Sequence, residues 1–397
     1  MSRPLRVAVM ADTLPPRGYT GGGMAHFHLA AALRQEGIEV RTFTFLELPR
    51  LWKYAVKALL RSMLWFLAFV RRPLRRPGLR LELDTAALGA LGGWAKFGEI
   101  RAWQPDFVIV PDYGACASFW PVAWRRRLVL VAHSGPLRFL GLSNIGLRDA
   151  WDARLAWHLE TRMSREAAAS VVPSTYMKRV YERDYPHRGR ATVIANLLNE
   201  PALEGIKAER PALGDIDYWI FLPSPGNRNK GRAVLVELLS RLAGLLAPKS
   251  VAFILSGELD AGLRRRLGGL PKNAAYYAPG PVAYEKNMAL MKGCQICVSP
   301  TFIESFGMAL LEAQFCGLPV VCFDVDATAE VVAQGKTGCL VSGQDTGVLA
   351  KAAADLLKDP RRLARWSRAA MSTAQYRFSA RRSGKAFAKL LSGLARP

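Results

Sequence analysis

A chain of 397 residues exceeds what one ordinary hydrophobic core organises and predicts two domains. Hydrophobic residues make up 50% and charged residues 22%, which excludes wholesale disorder. Fifty-five Lys and Arg against 32 Asp and Glu leave a formal charge of +23, a field that attracts nucleic acid, anionic lipid or phosphorylated substrates.

The N-terminus passes directly into a β-like apolar run at 5–10, with no apolar leader before it. A Gly-rich loop follows, then a helical pattern over 24–35 closed by Gly37, then a β-rich stretch at 38–45. The best uncharged apolar run, 62–70, is nine residues long, well short of the ~20 that a membrane span needs. The expected location is therefore cytoplasmic, with peripheral attachment to the inner face of the membrane left open. Buried strands are predicted at 107–110, 128–132, 170–172 and 192–195. Around 197–216 the pattern lapses into Pro-, Gly- and charge-containing sequence and then restarts. Strands are predicted at 218–222, 251–255, 274–278, 296–298, 319–323 and 338–341, with helices at 231–246 and 306–316. Alternating strand and helix is the grammar of a parallel sheet covered on both faces. The expected organisation is an α/β chain of two Rossmann-like, doubly wound domains, 1–200 and 201–375, facing across a ligand cleft. A helical tail at 376–397 is free to pack back across either one. Cys294 and Cys297 form a C-x-x-C with no second pair or His cluster, so the six cysteines read as reduced, mostly buried thiols.

Three segments carry chemistry. Gly18-Tyr-Thr-Gly-Gly-Gly23 leads into a helix, where glycines allow close approach to an anion and the helix N-terminus adds partial positive charge. It is neither a dinucleotide fingerprint nor a Walker loop. Glu304 and Glu312 stand eight positions apart, with Ser305 as the expected N-cap of the helix that carries Glu312. Two helical turns give an offset of ~12 Å, which suits two contacts on one long ligand better than a hydrolase pair. The amides of Phe306 and Gly307 would meet phosphate between them. In the third segment, Pro225-Gly-Asn-Arg228-Asn-Lys230-Gly231, two cations follow a strand.

The stretch 300–338 resembles the donor-binding signature of retaining glycosyltransferases of the GT-B fold, specifically glycosyltransferase family 4. The likeness covers the E-x7-E, Glu312-Ala, Cys-Gly317-Leu-Pro319-Val, Ala329-Glu330-Val-Val and Gly335-Lys-Thr-Gly338. Outside it, the early Gly-rich loop, His133 after a strand, Pro173-Ser174 and Asn196 look like the family at matching places. The resemblance implies a nucleotide-diphosphate sugar as donor and no other cofactor. It assigns Glu312 to the ribose hydroxyls and Glu304 to the transferred sugar, with Phe306 and Gly307 beside it. His133 would reach the donor sugar, Gly22 and Gly23 would approach the diphosphate from the opposite domain, and Lys230 with Arg228 would face the leaving diphosphate. The family's Arg and Lys usually stand about five residues apart, whereas Arg228 precedes Lys230 by two. Fixed cations stabilise the charge released as the bond breaks, so the resemblance implies metal independence, and retention of configuration.

Residues 50–76 hold eight Arg and Lys and no acid, interleaved with Trp52, Tyr54, Trp65 and Phe66. Lys53, Lys57 and Arg61 make a stripe at helical spacing, the pattern of an interfacial helix on anionic lipid. The expected acceptor is a saccharide or a lipid-linked saccharide, such as a lipopolysaccharide precursor. No nucleic-acid motif is present. A nucleotide-sugar epimerase of the same architecture, or a non-catalytic polyanion-binding protein, are the competing readings.

Overall fold

The computed structural model describes residues 3–47, 51, 54, 55, 58, 62, 82–140 and 150–395. The chain divides into two compact units, one of Met1–Leu197 with Ala380–Pro397 and the other of Leu198–Ser379.

The first unit is built on six parallel strands: β1 (Arg6–Ala11), β2 (Glu39–Thr44), β3 (Phe107–Pro111), β4 (Leu128–Val131), β5 (Ala169–Val172) and β6 (Thr192–Val193). Their order across the sheet is β2-β1-β3-β4-β5-β6. Both faces are covered, and strand alternation sorts the apolar side chains between two cores. Ala8, Met10, Val108, Val110, Leu128 and Leu130 face one core with Trp103, Trp120 and Tyr181. Val7, Val9, Ile109, Val129 and Val131 face the other with Leu29, Leu33, Phe387 and Leu391. Phe387 and Leu391 belong to the terminal helix Ala380–Leu394, which packs on the helix Gly21–Gln35. Gly384 lies against Ala32, where a side chain would hold the two helices apart.

The second unit holds β7 (Tyr218–Leu222), β8 (Val251–Ser256), β9 (Ala274–Gly280), β10 (Ile296–Ser299), β11 (Val320–Phe323) and β12 (Gly338–Val341). Read from one edge these run β12-β11-β10-β7-β8-β9, all parallel. The helices Leu235–Leu246 and Thr346–Leu357 pack together. Leu235, Leu238, Leu239 and Leu242 recur at helical spacing and are fully buried, each contributing roughly 1.5–3 kcal/mol.

In each sheet the chain reverses its direction of winding once. The reversal falls between β1 and β3 in the first unit and between β7 and β10 in the second. Crevices at the carboxyl ends of the strands flanking such a reversal are where ligands bind in open α/β sheets.

Several expected boundaries move. The helix expected at 24–35 starts at Gly21, so Gly21–Gly23 form its first turn rather than the end of a loop. Thr20 caps it, the Thr20 hydroxyl accepting from the Gly23 amide. Ser305 is not an N-cap: the helix runs Met308–Phe315 and is capped by Gly307 in the left-handed region at φ +104°. Glu304 therefore sits on a loop, and the separation of Glu304 and Glu312 is not two helical turns. The helix expected at 231–246 begins at Leu235, because Gly231, also left-handed at φ +89°, ends a short 3-10 turn at Arg228–Lys230. The helical tail expected at 376–397 begins at Ala380 and belongs to the first unit, while the helix before it, Pro360–Arg377, lies in the second. Of the basic segment 50–76, positions 51, 54, 55, 58 and 62 are helical and exposed; the others lie outside the described residues.

Candidate functional site

In the second unit the loops after β7 and β10 lie side by side at the winding reversal. The Phe302 amide and the Thr301 hydroxyl both donate to the Asn229 carbonyl, at 2.9 and 3.2 Å. A Cβ on Gly231 would run into the backbone oxygen of Pro300, so glycine is required there by space as well as by φ. This juncture brings together two residues 74 positions apart: the Lys230 ammonium donates to a carboxylate oxygen of Glu304. Glu304 is in turn fixed through its backbone. Its amide donates to Asp326 Oδ2 at 2.8 Å, and its carbonyl accepts from the Ala327 amide at 3.2 Å. Arg228 is exposed and has no ion pair among the described residues. The neighbouring Arg232 is engaged by Asp260.

Phe306 is buried with its ring edge-on to Phe378, centroids 5.6 Å apart, so its side chain belongs to packing. Gly307 turns the chain into the helix carrying Glu312. Glu312 is buried beside the Tyr284 hydroxyl, and burial pushes its carboxyl up to about 7, with the tyrosine hydrogen bond opposing.

The first unit presents a second cluster at its own winding reversal. Asp12 follows β1 and accepts from the Thr20 hydroxyl at 2.9 Å. Gly22 lies under the Tyr113 hydroxyl, which a Cβ at that position would displace. Gly23 is buried, its amide committed to Thr20, whereas Gly21 and Gly22 remain at the surface of the helix start. Asp112, at the end of β3, accepts from the amides of His133 (2.8 Å) and Ser134 (3.1 Å). Burial raises the Asp112 carboxyl to about 6, opposed by those amides. His133, two residues past β4, is buried, and burial holds its imidazole well below the usual range, the neighbouring His26 acting in the same direction. His26 and His133 meet edge to face with centroids 5.1 Å apart.

Two family profiles match the chain: Glycosyltransferase Family 4 over residues 19–200 and Glycosyl transferases group 1 over residues 218–373. The chain belongs to the family 4 glycosyltransferases.

One relative is a GDP-mannose-dependent alpha-(1-6)-phosphatidylinositol monomannoside mannosyltransferase of Mycolicibacterium smegmatis. It is 41% identical over 201 residues, covering 49% of this chain and 52% of the relative. A D-inositol 3-phosphate glycosyltransferase of Mycolicibacterium paratuberculosis is 26% identical over 404 residues, covering 91% and 84%. With several other curated relatives the alignment spans only 17% to 44% of their length. Among solved structures, sucrose-phosphate synthase from Thermosynechococcus elongatus superimposes with a TM-score of 0.70 at 19% identity over 98% of this chain and 99% of that one. Anabaena HepE in complex with UDP-glucose gives 0.64 at 18% identity over 98% and 100%. The two Rossmann-like domains thus make the GT-B fold of a family 4 glycosyltransferase. The matches do not favour an epimerase or a non-catalytic polyanion binder.

Some residues that build these clusters carry no signal by themselves in the sequence. Asp326 and Tyr284 are brought in by folding, from segments with no motif. Asp112 and Tyr113 had a faint mark, a charge and a ring directly after a buried strand. His26 had another, standing four positions after Gly22 and so one turn along the same helix face.

Proposed function

We propose that this family 4 glycosyltransferase moves a sugar from a nucleoside-diphosphate sugar to an acceptor hydroxyl, with retention of configuration and without a metal. The Lys230–Glu304 pair, held at the carboxyl ends of β7 and β10 where the second sheet reverses, carries this reading. An ammonium has three donors, so Lys230 can keep Glu304 and still donate to a phosphate oxygen. The diphosphate gains negative charge as the glycosidic bond breaks, and a fixed cation stabilises that charge more than it stabilises the intact donor. Arg228, exposed one short turn away, supplies a second cation. The helix that starts at Met308 adds its partial positive end next to Gly307. Glu312 takes the ribose hydroxyls, and Glu304 orients the sugar.

From the first unit, His133 contacts the donor sugar, and Gly22, with the free face of the first helical turn, approaches the diphosphate; Gly23 serves through the cap. The acceptor hydroxyl attacks from the side the diphosphate leaves, and the departing phosphate takes its proton. Anabaena HepE binds UDP-glucose and the mycobacterial relative depends on GDP-mannose, so uridine and guanosine donors are tested first. A lipid-linked acceptor and peripheral contact with anionic membrane are supported by Leu51 and Tyr54, large side chains at helical positions of the basic segment and mostly open to solvent. Among the described residues no helix is long and apolar enough to cross a membrane.

A melting screen against UDP, GDP, ADP and their sugar conjugates, with and without EDTA, tests the proposal. A ligand at 100 times its Kd stabilises the fold by ~2.7 kcal/mol. One nucleotide family raising the melting temperature, unaffected by EDTA, is the expected result. No shift with any nucleotide, or a shift abolished by EDTA, overturns the donor assignment or its metal independence respectively.

A further inference from the structure

Within the first unit, His26 and His133 are both buried, and the Nε2 atom of each has no hydrogen-bond partner. Both line a small pocket with Leu29, Val131, Asn196 and Phe387. The other nitrogen of His26 is committed: Nδ1 lies 2.9 Å from the Gly22 carbonyl oxygen. A carbonyl only accepts, so Nδ1 carries the proton, and in the neutral ring Nε2 is left with a lone pair. Burial lowers the affinity of both rings for a second proton.

A buried imidazole with a fixed tautomer is costly to leave with an idle nitrogen. What His26 does touch is informative. It is bonded to the turn that carries Gly22, and its ring stands edge to face against His133 at 5.1 Å. Among the described residues, the hydrogen bonding of His133 is through its backbone, to Asp112. The ring of His133 therefore takes its orientation from what packs against it, and the ring of His26 packs against it edge to face.

We infer that His26 is a positioning residue: it holds the imidazole of His133 in the orientation that reaches the donor sugar and ties it to the turn bearing Gly22. This rests on the reading of His133 as a donor-sugar contact. A single shift of ring or turn then disturbs both contacts from this unit at once. Misplacement of a reacting group by about 1 Å costs on the order of 100-fold in rate.

The test is a double-mutant cycle with His26→Phe and His133→Ala, using the nucleotide sugar that the melting screen selects. Phe keeps an aromatic ring against His133 but loses the hydrogen bond to Gly22. The expected result is kcat lowered roughly tenfold or more in His26→Phe, with donor KM within about twofold, and no further loss when His26→Phe is added to His133→Ala. His26→Gln, which restores a donor to the Gly22 carbonyl, should recover part of the rate, and it serves in place of the Phe variant if that variant does not fold. Wild-type kcat in folded His26→Phe and His26→Gln overturns the inference. So do losses that multiply in the double variant, which would mean that His26 acts independently of His133. Full activity in His133→Ala overturns the reading beneath it, and loss in His133→Ala with none at His26 sinks the inference alone.

Discussion

Replacing Lys230 by alanine isolates the group on which the proposed chemistry depends. The side chain is a quarter exposed and its partner Glu304 about a tenth, at 26% and 11%, so the pair is neither a free surface bridge nor a fully buried one. Its loss should cost ~1 kcal/mol of stability, because water reaches the ammonium and screens the pair. For a unit of this size that is a fall of about 2–4 °C in Tm. The loop should keep its shape, since Glu304 stays fixed by Asp326 and Ala327, and Asn229 by Thr301 and Phe302. Turnover is another matter. Removing one preorganised group aimed at developing negative charge typically costs 10²–10³ in kcat, about 2.7–4 kcal/mol of barrier. The assay is nucleotide release at saturating donor and acceptor, run beside a melting curve. A kcat within twofold of wild type in a folded Lys230→Ala protein would refute the assignment of Lys230 to the leaving diphosphate. A kcat loss matched by a collapse in Tm would refute the claim that the pair is catalytic rather than structural.

Other consequences follow from single residues. Burial raises Glu312 from its ordinary 4.5 to about 7, so the protonated carboxyl is the form the fold prefers. Its stabilising contribution is complete below pH 4.5 and is lost as pH rises through 7, roughly 3 kcal/mol at 1.36 kcal/mol per pKa unit. Glu312→Gln should therefore lose less stability than wild type between pH 5 and 8 in melting curves, and bind nucleotide less tightly; parallel curves would count against it. Gly231→Ala combines a left-handed φ with a clash against the Pro300 backbone. It should cost ~2 kcal/mol or more and lower kcat with Lys230 intact; a denaturation midpoint equal to wild type would show that the loop has slack. Leu51→Ser with Tyr54→Ser should reduce sedimentation with anionic vesicles while leaving nucleotide binding unchanged, and undiminished sedimentation would remove that helix from the membrane reading.

The central strands stand in the sequence as short apolar runs, because a strand buried on both faces must be apolar at every position, whereas the edge strands β2 and β6 are largely exposed and carry polar residues. Lys230-Gly231, Glu304, Gly307 and Glu312 stand out in the sequence as candidates, since binding a charged ligand restricts residue type locally. The helix starts were less so: Ser305 had the right composition for a cap, but the φ of Gly307 moved the start to Met308. What no local pattern carries is the partner. That Lys230 meets Glu304 follows from β7 and β10 being neighbours, an adjacency set by winding order and by the Gly231–Pro300 contact. That Asp112 holds the backbone of His133, and that Tyr113 covers Gly22, follows in the same way from β1, β3 and β4 lying side by side. The terminal helix shows the limit most plainly. Its apolar stripe required burial somewhere, and it is the tertiary fit of Phe387 and Leu391 into the first unit's core, with Gly384 against Ala32, that places it there. Residue chemistry is a property of the chain, whereas the distance between two residues far apart along it is a property of packing.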